Sequence, residues 1–206
     1  AFKVTDYDRR DPRRKRASAR LALGVEERLR RIVDYVEAIG VLLHVVPKFR
    51  TPWHARPQEP LGTIHLRISG GFVIRPLDLR ADAHPSFRDT AGLRVSAHAV
   101  IRRDGTITQY VPFGMRAWHA GQSHYQGRPA CNDFSIGVEL EGTDSIPYTD
   151  AQYVSVAALI AALLATYPTL SLQRITGHSD IAPGRKTDPG PAFDWTRLRQ
   201  LLAKQR

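Results

Sequence analysis

The stretch TGHSDIAPGRKTDPGP, residues 176–191, sets one histidine, one lysine and two aspartates among three prolines and three glycines. A long helix cannot run through it, because proline removes a donor and clashes with the preceding turn. Glycine and proline at this density specify a loop of defined shape. Such a loop is either a solvated surface connection or a device for holding ionisable groups in place. His178 and Asp188 lie ten residues apart, and Pro183, Gly184, Pro189 and Gly190 can fold the chain between them so that both side chains point one way. An imidazole and a carboxylate are donors of hydrolytic zinc sites, which take three protein ligands and leave one position open. A third ligand must come from elsewhere in the chain. His65 is the best candidate, since it lies in the strand-like segment LGTIHLRIS.

Hydrolysis also needs a base and a group that stabilises an oxyanion. Glu139, in the apolar run FSIGVELEG, is a carboxylate that is costly to bury unless it is paired or used. Burial there would raise its pKa toward the working range of a general base. Glu141 has the same strand parity, so one of the two is an ordinary edge carboxylate. Lys186, two residues before Asp188, is placed to polarise a carbonyl.

Elements must position these groups. AHAVI and TITQYV flank a turn at Arg103-Asp104-Gly105 and read as a hairpin. FSIGVELEG reads as a buried strand. TDAQYVSVAALIAALLATYP reads as a helix capped by Thr149 or Asp150, with Val154, Ala157, Ala158, Ala161 and Leu164 on its inner face. FDWTRLRQLLAK is a second helix, with Trp195, Leu198, Leu201 and Leu202 as its stripe. From Val25 to Ile39, apolar residues at Val25, Leu29, Ile32, Val33, Val36 and Ile39 mark an amphipathic helix stopped by Gly40. Its stripe is expected to dock on the domain behind it, because a lone helix of this length is marginal in water. Helices mixed with strands and a hairpin predict an α/β domain with a mixed sheet.

The chain has 206 residues, 42% of them hydrophobic and 24% charged, which suits a globular domain. No apolar run is long enough to span a membrane, and the first residues lack the apolar core of a secretory leader. The single cysteine, Cys131, excludes an internal disulfide framework and reads as a free thiol with no base beside it. Low cysteine use suits a reducing compartment. Residues 1–20 carry eight Lys and Arg against three Asp, and this +5 is half of the formal net charge of +10. Such an arm is a solvated tail or attracts an anionic surface. No specific nucleic-acid partner is expected. Of the other histidines, His98 reads as a packed residue that orients a neighbour, His44 as structural, and His54, His84 and His124 as loop residues.

The segments RVSAHAVIRRDGTITQYVPFGMRAWHAGQSHYQGRPACNDFSIGVELEGTD and TGHSDIAPGRKTDPGPAFDW resemble the zinc-dependent N-acetylmuramoyl-L-alanine amidases, the amidase-2 family, from about Pro52 to Leu201. Within it the likeness is greatest to the type that acts on 1,6-anhydro-muropeptides in peptidoglycan recycling. The resemblance implies a mixed central sheet flanked by helices, shared with peptidoglycan-recognition proteins, with an extra N-terminal helix. It implies zinc ligands at His65, His178 and Asp188, a general base at Glu139 and an oxyanion-stabilising Lys186. Arg94 and Trp118, with His119 nearby, are implied to line the muropeptide site. Leu66 stands where the family usually has an asparagine after its first ligand, and the segment after His65 is several residues shorter. The expectation is a monomeric amidase with a catalytic unit over residues 48–206, cytoplasmic, or periplasmic if a leader has been removed ahead of Ala1. Residues 1–47 form an extension without a family counterpart. The competing reading is a catalytically silent peptidoglycan-binding module.

Overall fold

The computed structural model describes residues 27–45, 63–68 and 96–205. In chain order its strands are β1 (Leu43–Val45), β2 (Thr63–Ile68), β3 (Ala99–Ile101), β4 (Ile107–Gln109), β5 (His124–Tyr125), β6 (Arg128–Pro129), β7 (Ser135–Leu140) and β8 (Ile175–Gly177). The α-helices are α1 over residues 27–38, α2 (Asp150–Thr166), α3 (His178–Ile181) and α4 (Trp195–Lys204). Six strands form one sheet in the order β1-β4-β3-β7-β2-β8. Only β3 and β4 run antiparallel, and the other neighbours pair in parallel. The sheet is therefore mixed, as expected.

Strand alternation divides the sheet into two faces. On β7, Ile136, Val138 and Leu140 join Ile64, Ala99, Ile101 and Ile107 in the main core with α1, α2 and α4. Positions 135, 137 and 139 belong to the opposite face. In parallel register Gly137 stands beside His65 and Glu139 beside Arg67, while His65 stands beside Thr176 on its other side. Positions 65, 137, 139 and 176 thus share the face turned away from the helices.

The hairpin forms where its turn residues predict. Arg102 N–H donates to Thr106 O (3.0 Å) and Gly105 N–H to Arg102 O (3.0 Å). Gly105 has φ +88°, and a Cβ there would sit 2.9 Å from Ser155 Oγ, so the turn needs glycine both for its angle and for its contact with α2. Thr149 caps α2 in a capping box with Gln152.

The inner face of α2 differs from the expectation. Ala157 and Ala158 are buried, but Val154 is 43% exposed and Ala161 and Leu164 are only partly covered, whereas Tyr153, Val156, Leu159, Ile160 and Leu163 are buried. The helix is apolar nearly all round, so apolar spacing leaves its phase undetermined. On α4 the expected stripe holds: Leu198 and Leu202 are buried, with Trp195 and Leu201 packed against the core. Asp194 caps it by accepting from Arg197 N–H at 2.9 Å.

The amphipathic helix docks. Ile32 and Val36 are fully buried in the main core, and Leu29 and Val33 pack against it. Gly40, at φ +77°, stops the helix, with Gly40 N–H donating to Glu37 O (2.9 Å) and Val41 N–H to Val36 O (3.1 Å). Ile39, beyond the last turn, is 44% exposed instead of completing the stripe. The chain then adds β1 to the sheet edge, with Leu43 beside Ile107. Val25 and the basic arm lie outside the described residues.

Ile32→Ala should destabilise the protein by about 2–5 kcal/mol, the usual range for emptying a buried aliphatic site. Ile39→Ala should stay within about 0.5 kcal/mol of wild type. Urea denaturation of the two variants checks this. Equal midpoints would mean that α1 does not carry core packing.

Candidate metal centre and active site

The loop 176–191 is laced together by its own backbone. Asp180 accepts from Gly177 N–H at 2.7 Å. Ser179 N–H donates to Asp188 O (2.9 Å), Lys186 N–H to Ala182 O (3.0 Å) and Gly190 N–H to Thr187 O (3.0 Å). A Cβ at Gly177 would lie 2.7 Å from Pro189 Cδ, and one at Gly190 would lie 2.7 Å from Asp144 Cα. Thr187 Oγ1 donates to Asp144 at 2.5 Å, and Tyr148 OH donates to Pro189 O at 3.2 Å. Burial, with the Asp144 charge adding, pushes the Tyr148 phenol well above its ordinary range, so it stays protonated as that donor. The segment is a rigid structure, not a solvated connection.

Its result is the approach of His178 to Asp188. His178 Nδ1 lies 3.1 Å from Asp188 Oδ2, with the two side chains 1% and 13% exposed. His178 directly follows β8, and β8 places Thr176 beside His65 on β2. Thr176 Oγ1 is buried without a hydrogen-bond partner among the described residues. Two ligands held about 2.0–2.1 Å from a tetrahedral ion stand ~3.3 Å apart, close to the observed spacing. The donor set and the spacing fit zinc. Among the described residues no group of three His, Cys, Asp or Glu side chains gathers as a metal cluster; the side chain of His65 is not among those described.

The two candidate carboxylates separate cleanly. Glu141 accepts from Arg103 N–H at 3.0 Å, and its carbonyl accepts from Gln152 Nε2 at 2.8 Å. It is a strand-end group that ties the hairpin turn to α2. Glu139 is half-buried on the face shared with positions 65 and 176. Lys186 is half-exposed on the same loop as His178 and Asp188.

Trp118 and His119 occupy different environments. Trp118 is half-buried, its backbone clamped to Ser96 by Trp118 N–H to Ser96 Oγ (3.0 Å) and Ser96 N–H to Trp118 O (2.9 Å). The Arg116 guanidinium stacks 3.7 Å from its ring centroid and ion-pairs with Asp133. His119 is only 2% exposed. Its ring fills the space over Gly137, where a Cβ would lie 2.3 Å from His119 Cγ. Asn132 Oδ1 holds its backbone by accepting from His119 N–H (3.0 Å) and Ala120 N–H (2.8 Å). His98 orients a neighbour as expected. Its Nδ1 accepts from Gly137 N–H at 3.0 Å, so Nε2 carries the proton donated to Met115 O at 2.9 Å. Arg94 lies outside the described residues. Cys131 is buried and unpaired, and burial pushes its thiol pKa up, which suits an inert residue.

Sequence reasoning missed the Gly137–His119 contact and Arg185, which braces the loop against residues 120–122. The glycine inside an otherwise apolar strand was the available signal for the first. An arginine in a charged loop gave none for the second.

The family model described as N-acetylmuramoyl-L-alanine amidase matches residues 74–191. The chain belongs to that family. The 1,6-anhydro-N-acetylmuramyl-L-alanine amidase AmpD of Salmonella typhimurium is 66% identical over 122 residues, 59% of this chain and 65% of that protein. The protein of the same name from Haemophilus influenzae is 55% identical over 133 residues, 64% of this chain and 72% of that protein. The chain thus spans about two-thirds of the length of these curated relatives. The crystal structure of a selenomethionine AmpD derivative superposes with a TM-score of 0.62 at 49% identity, covering 78% of this chain and 94% of that one. Escherichia coli AmiD, solved with anhydro-N-acetylmuramic acid-L-Ala-D-γ-Glu-L-Lys as its substrate, gives 0.58 at 28% identity over 75% of this chain and 64% of that one. The amidase fold is therefore the fold of this chain.

Gly137→Ala should force His119 off the sheet and cost about 1–3 kcal/mol, as overpacking does. A wild-type urea midpoint for this variant would contradict the contact.

Proposed function

We propose that the protein is a zinc-dependent amidase. It would hydrolyse the amide between N-acetylmuramic acid, in its 1,6-anhydro form, and the L-alanine of a peptidoglycan peptide. The observation that carries this reading is the His178–Asp188 pair, 3.1 Å apart on a rigid loop that leaves β8 beside position 65. Family membership and the substrate named for E. coli AmiD support it. His65, His178 and Asp188 would hold the ion. Bound there, zinc lowers the pKa of a water molecule and polarises the scissile carbonyl. Glu139 takes the proton of the attacking water and returns it to the leaving alanine nitrogen. Lys186 supplies fixed positive charge for the oxyanion. Arg94 and Trp118 orient the muramyl peptide, and His119 acts from beneath, as the support of β7.

In this reading residues 48–206 are the catalytic unit. Residues 1–47 are an extension whose described part, 27–45, contributes α1 to the core and β1 to the sheet. The enzyme acts as a monomer on soluble muropeptides in the cytoplasm. No helix among the described residues is long and apolar enough to cross a membrane. A silent binding module is disfavoured because no member of the proposed ligand and base set is replaced in the sequence.

His178→Ala should lose zinc and activity together, measured by metal analysis and by mass spectrometry of a muropeptide digest. Retention of both would remove His178 from the ligand set. Glu139→Gln should fold, bind zinc and lose about 10²–10⁴-fold in rate, while Glu141→Gln keeps most of its activity. The reverse ranking would assign the base to Glu141.

A further inference from the structure

Arg185 forms a planar brace between two loops. Its Nη2 donates to Ala120 O at 2.6 Å and to Gln122 O at 2.7 Å, and its Nε donates to Gln122 O at 3.1 Å. Gly121, between the two carbonyls, has φ +59°, and a Cβ there would lie 3.3 Å from Arg185 Nη1. The glycine lets the guanidinium lie against the turn. The same Nη2 is 3.4 Å from His178 Nε2, and His178 Nε2 is 3.3 Å from Ala120 O.

Counting hydrogens decides the arrangement. A guanidinium Nη atom carries two hydrogens and cannot be deprotonated in a protein. Ala120 O and Gln122 O take both, which leaves none for His178 Nε2. An unprotonated Nε2 would set its lone pair against the Ala120 carbonyl. Nε2 must therefore carry the hydrogen and share Ala120 O, whose second lone pair remains available. His178 Nδ1 then faces Asp188 Oδ2 at 3.1 Å, where a shared proton holds the pair together until a metal replaces it.

We infer that Arg185 is a positioning residue that holds Ala120 O on His178 Nε2–H, so that Nδ1 faces the position of a metal beside Asp188. The inference rests on the ligand assignment proposed above. The short, charge-assisted bonds to Ala120 and Gln122 hold the carbonyl in place, and that carbonyl orients the imidazole. Outer contacts of this kind typically contribute 10–100-fold to metal affinity.

The test uses the full chain, metal-free and then titrated with zinc against a chromophoric chelator. Long-range ¹⁵N–¹H NMR reads the His178 tautomer before zinc is added. Wild type should show a protonated Nε2. Arg185→Ala should lose the ordered Nε2–H signal and weaken zinc binding by about 10–100-fold. Arg185→Lys should not restore either property, because an ammonium lacks the flat fork that spans both carbonyls. The lysine variant also serves if the alanine variant fails to fold. An unprotonated Nε2 in wild type, or a wild-type Nε2–H signal with undiminished zinc affinity in both variants, would overturn the inference. His178→Ala separates the two claims: if it binds zinc as wild type does, the ligand assignment fails, whatever the tautomer shows.

Discussion

The structure depends on bringing an imidazole and a carboxylate to 3.1 Å across a loop that runs from the end of β8 through the single turn of α3. Two such groups buried together attract each other only through a proton or a cation, and an unpaired carboxylate in that setting is costly. The pair is held by a proton when no metal is present and offers two corners of a metal site when one is. The surrounding groups supply the constraint: glycines at 177 and 190 where no Cβ fits, Tyr148 bonded to Pro189, and Thr187 bonded to Asp144. Loop energy is spent on preorganisation, which is where electrostatic catalysis gains most.

The sheet provides the other half. Its helix-facing side is an ordinary apolar core. Its opposite side carries Glu139, position 65 and Thr176 in one small area, because parallel pairing of β7, β2 and β8 brings together residues far apart in sequence. His119 fills the notch left by Gly137. Arg116, Trp118 and Asp133 form a second packed unit beside it. The site is thus built from strand register and loop closure, with the helices acting as its support.

Much of this was legible in the sequence where local chemistry decides structure. The Arg103-Asp104-Gly105 turn, the Thr149 cap, the buried strand at 135–140 and the Gly40 stop all form as their residues dictate. The loop was legible as a rigid holder of His178 and Asp188 from its prolines and glycines. What failed or stayed open had no local signal. The phase of α2 was misread at Val154 because apolar residues surround that helix. Leu43–Val45 joins the sheet through parallel pairing with residues 107–109, and no turn announces such a partner. Glu139 and Glu141 share parity, and only the bond from Arg103 N–H tells them apart. The role of Arg185 depends on three carbonyl contacts distant in sequence.

The most direct test of the account is anomalous diffraction at the zinc edge from crystals grown with the metal. One strong peak is expected about 2.0–2.2 Å from His178 Nδ1 and from an Asp188 carboxylate oxygen, with His65 completing the protein ligands. A zinc peak elsewhere, or a His178–Asp188 pair that remains closed on itself in the presence of excess zinc, would contradict it.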